Sequence, residues 1–259
     1  MFDQGSGPPI VVVQPLQGRW QWMRRFLDAL SAQCRVISYT LCGDIGSEGC
    51  PDAPRDFDRY VRQLENVIEH AHVDRFALCG ISFGGTVALR YTARHPGRIT
   101  HLVIQSSPGP GWRASAEQNR YVSNPVLTLP GFLWAAFGRL RVELRAGLPR
   151  PWERFAFVAR AGLTALRYPP MPHTMANRVR LMEAVDLAQD ASLVSAPTLI
   201  VTGEPGIERV VPVESTKRYL AYIPHSRYEM IDNAGHTVSL VQPERLARIT
   251  CEFINANRS

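Results

Sequence analysis

The pentapeptide Gly80-Ile81-Ser82-Phe83-Gly84 constrains this chain more than any other stretch, because it reads as a serine mounted on a strained turn. Ahead of it, Phe76-Ala77-Leu78-Cys79 is a short apolar run suited to a buried parallel strand. Behind it, the run from Thr86 to Ala93 has few breakers and predicts a helix. Where a strand turns straight into a helix, the positions two before and two after the serine have no room for a Cβ. The new helix also aims free N–H groups and the positive end of its dipole at whatever the serine attacks. A Gly-rich turn with an incidental serine shows the same letters, so the partners decide.

A serine hydroxyl is a weak nucleophile near neutral pH and needs a base, normally histidine, oriented by a carboxylate. His236 sits in Asn233-Ala234-Gly235-His236-Thr237, after the candidate strand Tyr228–Ile231 and before a helix around residues 243–253. From such a loop it can reach a serine at the same sheet edge. Two acids, Glu204 and Glu208, follow the candidate strand Thr198–Val201. The chain order is then serine, acid, histidine.

On these residues the chain resembles the α/β-hydrolase fold superfamily over nearly its whole length. The family's acid commonly stands a few residues after a Gly and four before a Pro. Glu208 stands four before Pro212, with Pro205-Gly206 as a two-residue expansion of the loop, so the resemblance favours Glu208 over Glu204. It also implies an oxyanion hole built from the Phe83 N–H and a donor after the first strand, Ile10–Val13. The family writes His-Gly there and this chain writes Gln14-Pro15, which puts the donor at Leu16.

The remaining pattern is an α/β alternation without repeats: helix 20–32, strand Arg35–Tyr39, helix 57–71, strand His101–Ser106 and the strands already named. It predicts about six parallel strands with helices on both faces, placing Leu16, Ser82, Glu208 and His236 at one carboxyl edge. With almost nothing before residue 9, the sheet is expected to lack the family's N-terminal antiparallel hairpin and to be all parallel. The core is expected at 1–107 and 191–259. Residues 108–190, broken by Pro125, Pro130, Pro149, Pro151, Pro169, Pro170 and Pro172, read as a helical cap.

Two readings stay open for the aromatic residues of that cap, Phe132, Trp134, Phe137, Trp152, Phe155, Phe157 and Tyr168. They line an apolar substrate pocket, or they pack the cap onto the core. Arg139, Arg141, Arg145, Arg150, Arg154 and Arg160 lie among them as a solvated face, a contact for an anionic membrane surface, or a grip on a substrate carboxylate.

Composition removes other classes. Of 29 basic residues only Lys217 is lysine, a bias that points to a GC-rich coding genome, and no nucleic-acid module accompanies the +6 charge, so no nucleic-acid partner is expected. No apolar run is long enough to insert stably in a membrane, and the N-terminus lacks a secretion signal. Five cysteines (Cys34, Cys42, Cys50, Cys79, Cys251) show no metal-ligand spacing and suggest reduced thiols in a cytoplasm. Glu69-His70-Ala71-His72 reads as a solvated helix end, because its histidines diverge. The sequence therefore predicts an acyl-transfer hydrolase on a small-molecule substrate, without metal or organic cofactor. Oligomeric state is left open.

Overall fold

The computed structural model describes residues 1–52 and 54–256. The strands are β1 Phe2–Gln4, β2 Pro9–Val13, β3 Arg35–Ser38, β4 Phe76–Ile81, β5 Ile99–Gln105, β6 Thr198–Gly203 and β7 Ser226–Ile231. They form one seven-stranded sheet in the order β1-β3-β2-β4-β5-β6-β7. All neighbouring pairs are parallel except β1 with β3.

That exception corrects the all-parallel expectation. Phe2 is buried against Trp20, with ring centroids 5.4 Å apart, and Arg35 bonds both carboxylate oxygens of Asp3 across the pair. One buried ring, one ion pair and the backbone ladder to β3 hold a three-residue strand that no periodicity could announce. The central parallel strands were legible because both their faces are covered. Val11, Val13, Leu78 and Ile104 enter one apolar cluster, while Ile10, Val12, Cys79 and Val103 enter the other.

Helices fill both sides. The first, α1 Arg24–Ser31, packs Phe26, Leu27 and Leu30 with Leu246, Phe253 and Ile254 of the last helix on one face of the sheet. On the other lie α2 Asp58–His70 and α3 Phe83–Arg94. Tyr60, Val61, Leu64, Val67 and Ile68 recur at helical spacing and turn the buried stripe of α2 to the sheet. Fully burying one such side chain contributes about 1.5–3 kcal/mol.

Five helices lie between β5 and β6: α4 Ala116–Ser123, α5 Leu129–Gly147, α6 Pro151–Arg167, α7 Pro172–Glu183 and α8 Leu187–Ser192. A capping box of Ser115 and Gln118 starts α4, and prolines at the first turns start α5, α6 and α7. After β6 come α9 Val213–Lys217, α10 Val238–Val241 and α11 Pro243–Ala256.

Two further expectations need correction. Cys42 and Cys50 are joined as a disulfide with Cα atoms 5.5 Å apart, so the expectation of reduced thiols fails for that pair. Both sit in the irregular segment between β3 and α2, where no residue pattern foretells the fold of the loop. Of the aromatics between β5 and β6, Trp134 and Phe155 are 81% and 77% exposed, and Trp152 and Phe137 are also exposed. These four neither line a pocket nor pack the segment down. Phe157 does pack inward, with Leu144 and Val241, and Phe132 stacks on Tyr121 at 4.3 Å.

Candidate active site

Ser82 is the hinge between β4 and α3, at φ 51°, ψ −115°, a conformation that non-glycine residues rarely adopt. The surroundings enforce it. A Cβ on Gly84 would strike the carbonyls of Val13 and Gln14, and one on Gly80 would lie 2.5 Å from the Gly85 Cα. The turn therefore presses against the end of β2, and the loop carrying Leu16 lies beside it. Phe83 opens α3, so its N–H has no acceptor within that helix.

The sheet's carboxyl edge brings three distant residues together. Ser82 Oγ lies 3.1 Å from His236 Nε2, and His236 Nδ1 lies 3.2 Å from Glu208 Oε2. The second oxygen-side contacts of Glu208 are the N–H groups of Val210 and Val211, at 2.9 and 3.1 Å to Oε1. Glu204 stands elsewhere. Its carboxylate accepts the Asn233 N–H at 3.1 Å and its own N–H donates to Ala234, which ties β6 to the histidine loop.

The electrostatics follow from that arrangement. Burial pushes the Glu208 carboxyl up, but the facing imidazole and three donated hydrogen bonds outweigh it and leave Glu208 below its ordinary value. Burial alone would depress His236. The charges of Glu208 and Glu143 and the bond to Glu208 overcome that and the opposing Arg139, so His236 lies above the usual imidazole value. A proton held between Nδ1 and a carboxylate leaves Nε2 facing the serine hydroxyl, the arrangement in which imidazole can take the hydroxyl proton.

Two residues of the site escaped sequence reasoning. Glu143, on α5, is 1% exposed and reaches the histidine loop. Its carboxylate accepts the His236 N–H at 3.1 Å, the Thr237 N–H at 2.8 Å and the Thr237 hydroxyl at 2.5 Å. Gly235 makes room for this carboxylate, since a Cβ there would lie 2.6 Å from the Glu143 carboxyl carbon and push the side chain aside. Burial raises Glu143 above the ordinary carboxylate value, although the Thr237 bonds and His236 oppose it.

Arg178, on α7, is fully buried with Asp44, 2.5 Å away. The same guanidinium donates to the Leu16 carbonyl at 2.8 Å and to the Cys42 carbonyl at 3.0 Å. It therefore clamps the loops after β2 and β3 in one position. Gln14, in the place of the family's histidine, is buried and donates to the Ser38 hydroxyl and the Val12 carbonyl. Leu16 packs against Tyr121, Met175 and Ala176. Among the described residues no group of three His, Cys, Asp or Glu side chains is placed to hold a metal ion. Among the same residues no helix is long and apolar enough to cross a membrane.

Comparison with known proteins agrees with the architecture. A 2-hydroxy-6-oxo-2,4-heptadienoate hydrolase of Pseudomonas putida is 25% identical over 99% of this chain and 92% of its own length. A pimeloyl-acyl-carrier-protein methyl ester esterase of Nitrosomonas europaea is 24% identical over 93% of each chain. The structure of an esterase from Exiguobacterium antarcticum superposes with a TM-score of 0.80 at 19% identity, over 98% of this chain and 94% of that one. The family model of the alpha/beta hydrolases matches residues 7–249, and the chain belongs to the alpha/beta hydrolase family.

Proposed function

We propose that the protein is a serine hydrolase that cleaves a carboxylic ester, or a related acyl substrate of apolar character, through an acyl-enzyme. The carrying observation is the unbroken relay from Glu208 through His236 to Ser82, mounted on a strained turn at a helix start. In this reading Ser82 attacks the carbonyl carbon while His236 takes its proton. The N–H groups of Phe83 and Leu16 hold the developing oxyanion. His236 then protonates the leaving group and activates a water that releases the acyl group.

Residues 108–190 act as a cap over the core formed by 1–107 and 191–259. Ser82 is 8% exposed and Glu208 7%, which supports substrate entry by movement of that cap. The apolar preference rests on Leu16 and its neighbours Tyr121, Phe132 and Met175, which an acyl chain near the oxyanion donors would meet. It does not rest on the exposed tryptophans. The relative named for a heptadienoate favours a second reading, carbon–carbon bond hydrolysis by the same serine. Thioester and lactone hydrolysis also use this machinery, and a catalytically weak ligand-binding relative is the remaining alternative.

Turnover of p-nitrophenyl esters of graded chain length, beside a 2-hydroxy-6-oxo-2,4-dienoate, tests the proposal. The expected result is ester hydrolysis that disappears in Ser82→Ala. Turnover of the dienoate alone would establish the second reading, and turnover of neither by folded protein would reject both.

A further inference from the structure

The segment between β5 and β6 leaves a large apolar surface in water. Leu144 of α5 and Phe157 of α6 enter one apolar cluster with Val241 of α10, and only Leu148, Pro149 and Arg150 join the two helices, a helical hairpin by connection. Its solvent side carries Leu133, Trp134 and Phe137 from α5 and Trp152, Phe155, Leu163 and Leu166 from α6, each more than half exposed at 54–84%. On α6 these residues recur as 152, 155, 163 and 166, with Ala159 between them, so they share one face. Single exposed apolar residues are ordinary, but seven on one hairpin mark a covered surface.

The charge around the face says what covers it. From Leu129 to Arg167 there are seven arginines, at 139, 141, 145, 150, 154, 160 and 167, against two acids, Glu143 and Glu153. Glu143 points inward from α5 to the histidine loop and adds no acid to the outer surface. Arg141, Arg145 and Arg160 are exposed and have no carboxylate partner among the described residues. A second copy docked through this face would bring two arginine-rich, acid-poor surfaces together, which is repulsive. An anionic, planar, apolar-backed surface matches both features: aromatic rings seat at the headgroup level and arginines pair with lipid phosphates.

We propose that the α5–α6 hairpin is a peripheral docking face for an anionic lipid surface, which it touches without spanning. The same helix that faces the lipid with Trp134 and Phe137 holds the loop of His236 with Glu143 on its inner side. The proposal does not depend on the reaction that the site performs.

Co-sedimentation with phosphatidylcholine vesicles, with and without phosphatidylglycerol, tests it on the full chain. Binding is expected only when phosphatidylglycerol is present, and it should weaken as salt rises. Arg141→Gln and Arg145→Gln should each weaken it by about fivefold. A Trp134→Ser, Phe155→Ser double variant should abolish it while keeping the wild-type thermal unfolding midpoint, because neither ring is packed in the fold. No binding of the wild type to phosphatidylglycerol vesicles would overturn the proposal, as would undiminished binding by the double variant. A dimer in light scattering that the double variant dissolves, without vesicle binding, would assign the face to a second copy instead.

Discussion

His236 is held from two sides, and the two carboxylates should be separable by experiment. Glu208 meets the imidazole itself, whereas Glu143 meets the backbone of its loop. Glu208→Gln should lower kcat by about 10³–10⁴-fold, because the amide no longer stabilises the imidazolium that forms during attack. Glu143→Gln should cost less, since it moves the loop rather than the proton. Both carboxylates raise His236, and in the proposed reaction it acts as a base only when neutral. The acid limb of kcat/KM should therefore rise with pH through a value above the ordinary imidazole range, and either substitution should shift it to lower pH. A pH profile identical to wild type in Glu143→Gln would show that this carboxylate supports the loop only mechanically. The convergence of Ser82, His236 and Glu208 was legible because each follows a strand in a recognisable local pattern. Glu143 was not, since a lone acid in an arginine-rich helix carries no sign of partners 93 and 94 positions later.

Among the elements, α5 joins the segment after β5 to the histidine loop, and α7 joins it to the loops that follow β2 and β3. Its Arg178 and Asp44 form a fully buried pair, and breaking such a pair leaves an uncompensated charge. Arg178→Met should destabilise the protein by about 3–5 kcal/mol, seen in the denaturant midpoint. Replacing both residues together, Arg178→Met with Asp44→Leu, should recover most of that stability. It should not recover activity, because the Leu16 carbonyl still lacks its donor and the loop is free to drift. Equal recovery of both would mean the pair does nothing for the loop. The central strands were predictable because burial on two faces imposes continuous apolar runs. β1 escapes such a reading because only three residues form it, and one ring, one ion pair and a short ladder to β3 hold it. The exposed aromatics were misjudged because a sequence shows that a face is apolar but not whether anything lies against it.

At the scale of the whole molecule, the sheet's parallel topology puts four loops at one edge, and the helices between β5 and β6 reach them through Glu143 and Arg178. The Cys42–Cys50 bridge braces the loop beside Asp44, and alkylation of unfolded protein without reductant should leave both cysteines unmodified while reaching Cys34, Cys79 and Cys251. In the proposed reaction the loops at this edge converge to make Ser82 an activated nucleophile. Treatment of the folded protein with a fluorophosphonate, followed by mass mapping of the adduct, measures that activation most directly. A single adduct on Ser82 is expected, forming quickly in the wild type and far more slowly in Glu208→Gln. Absence of label, or an adduct on another residue at the wild-type rate, would contradict the proposed reaction.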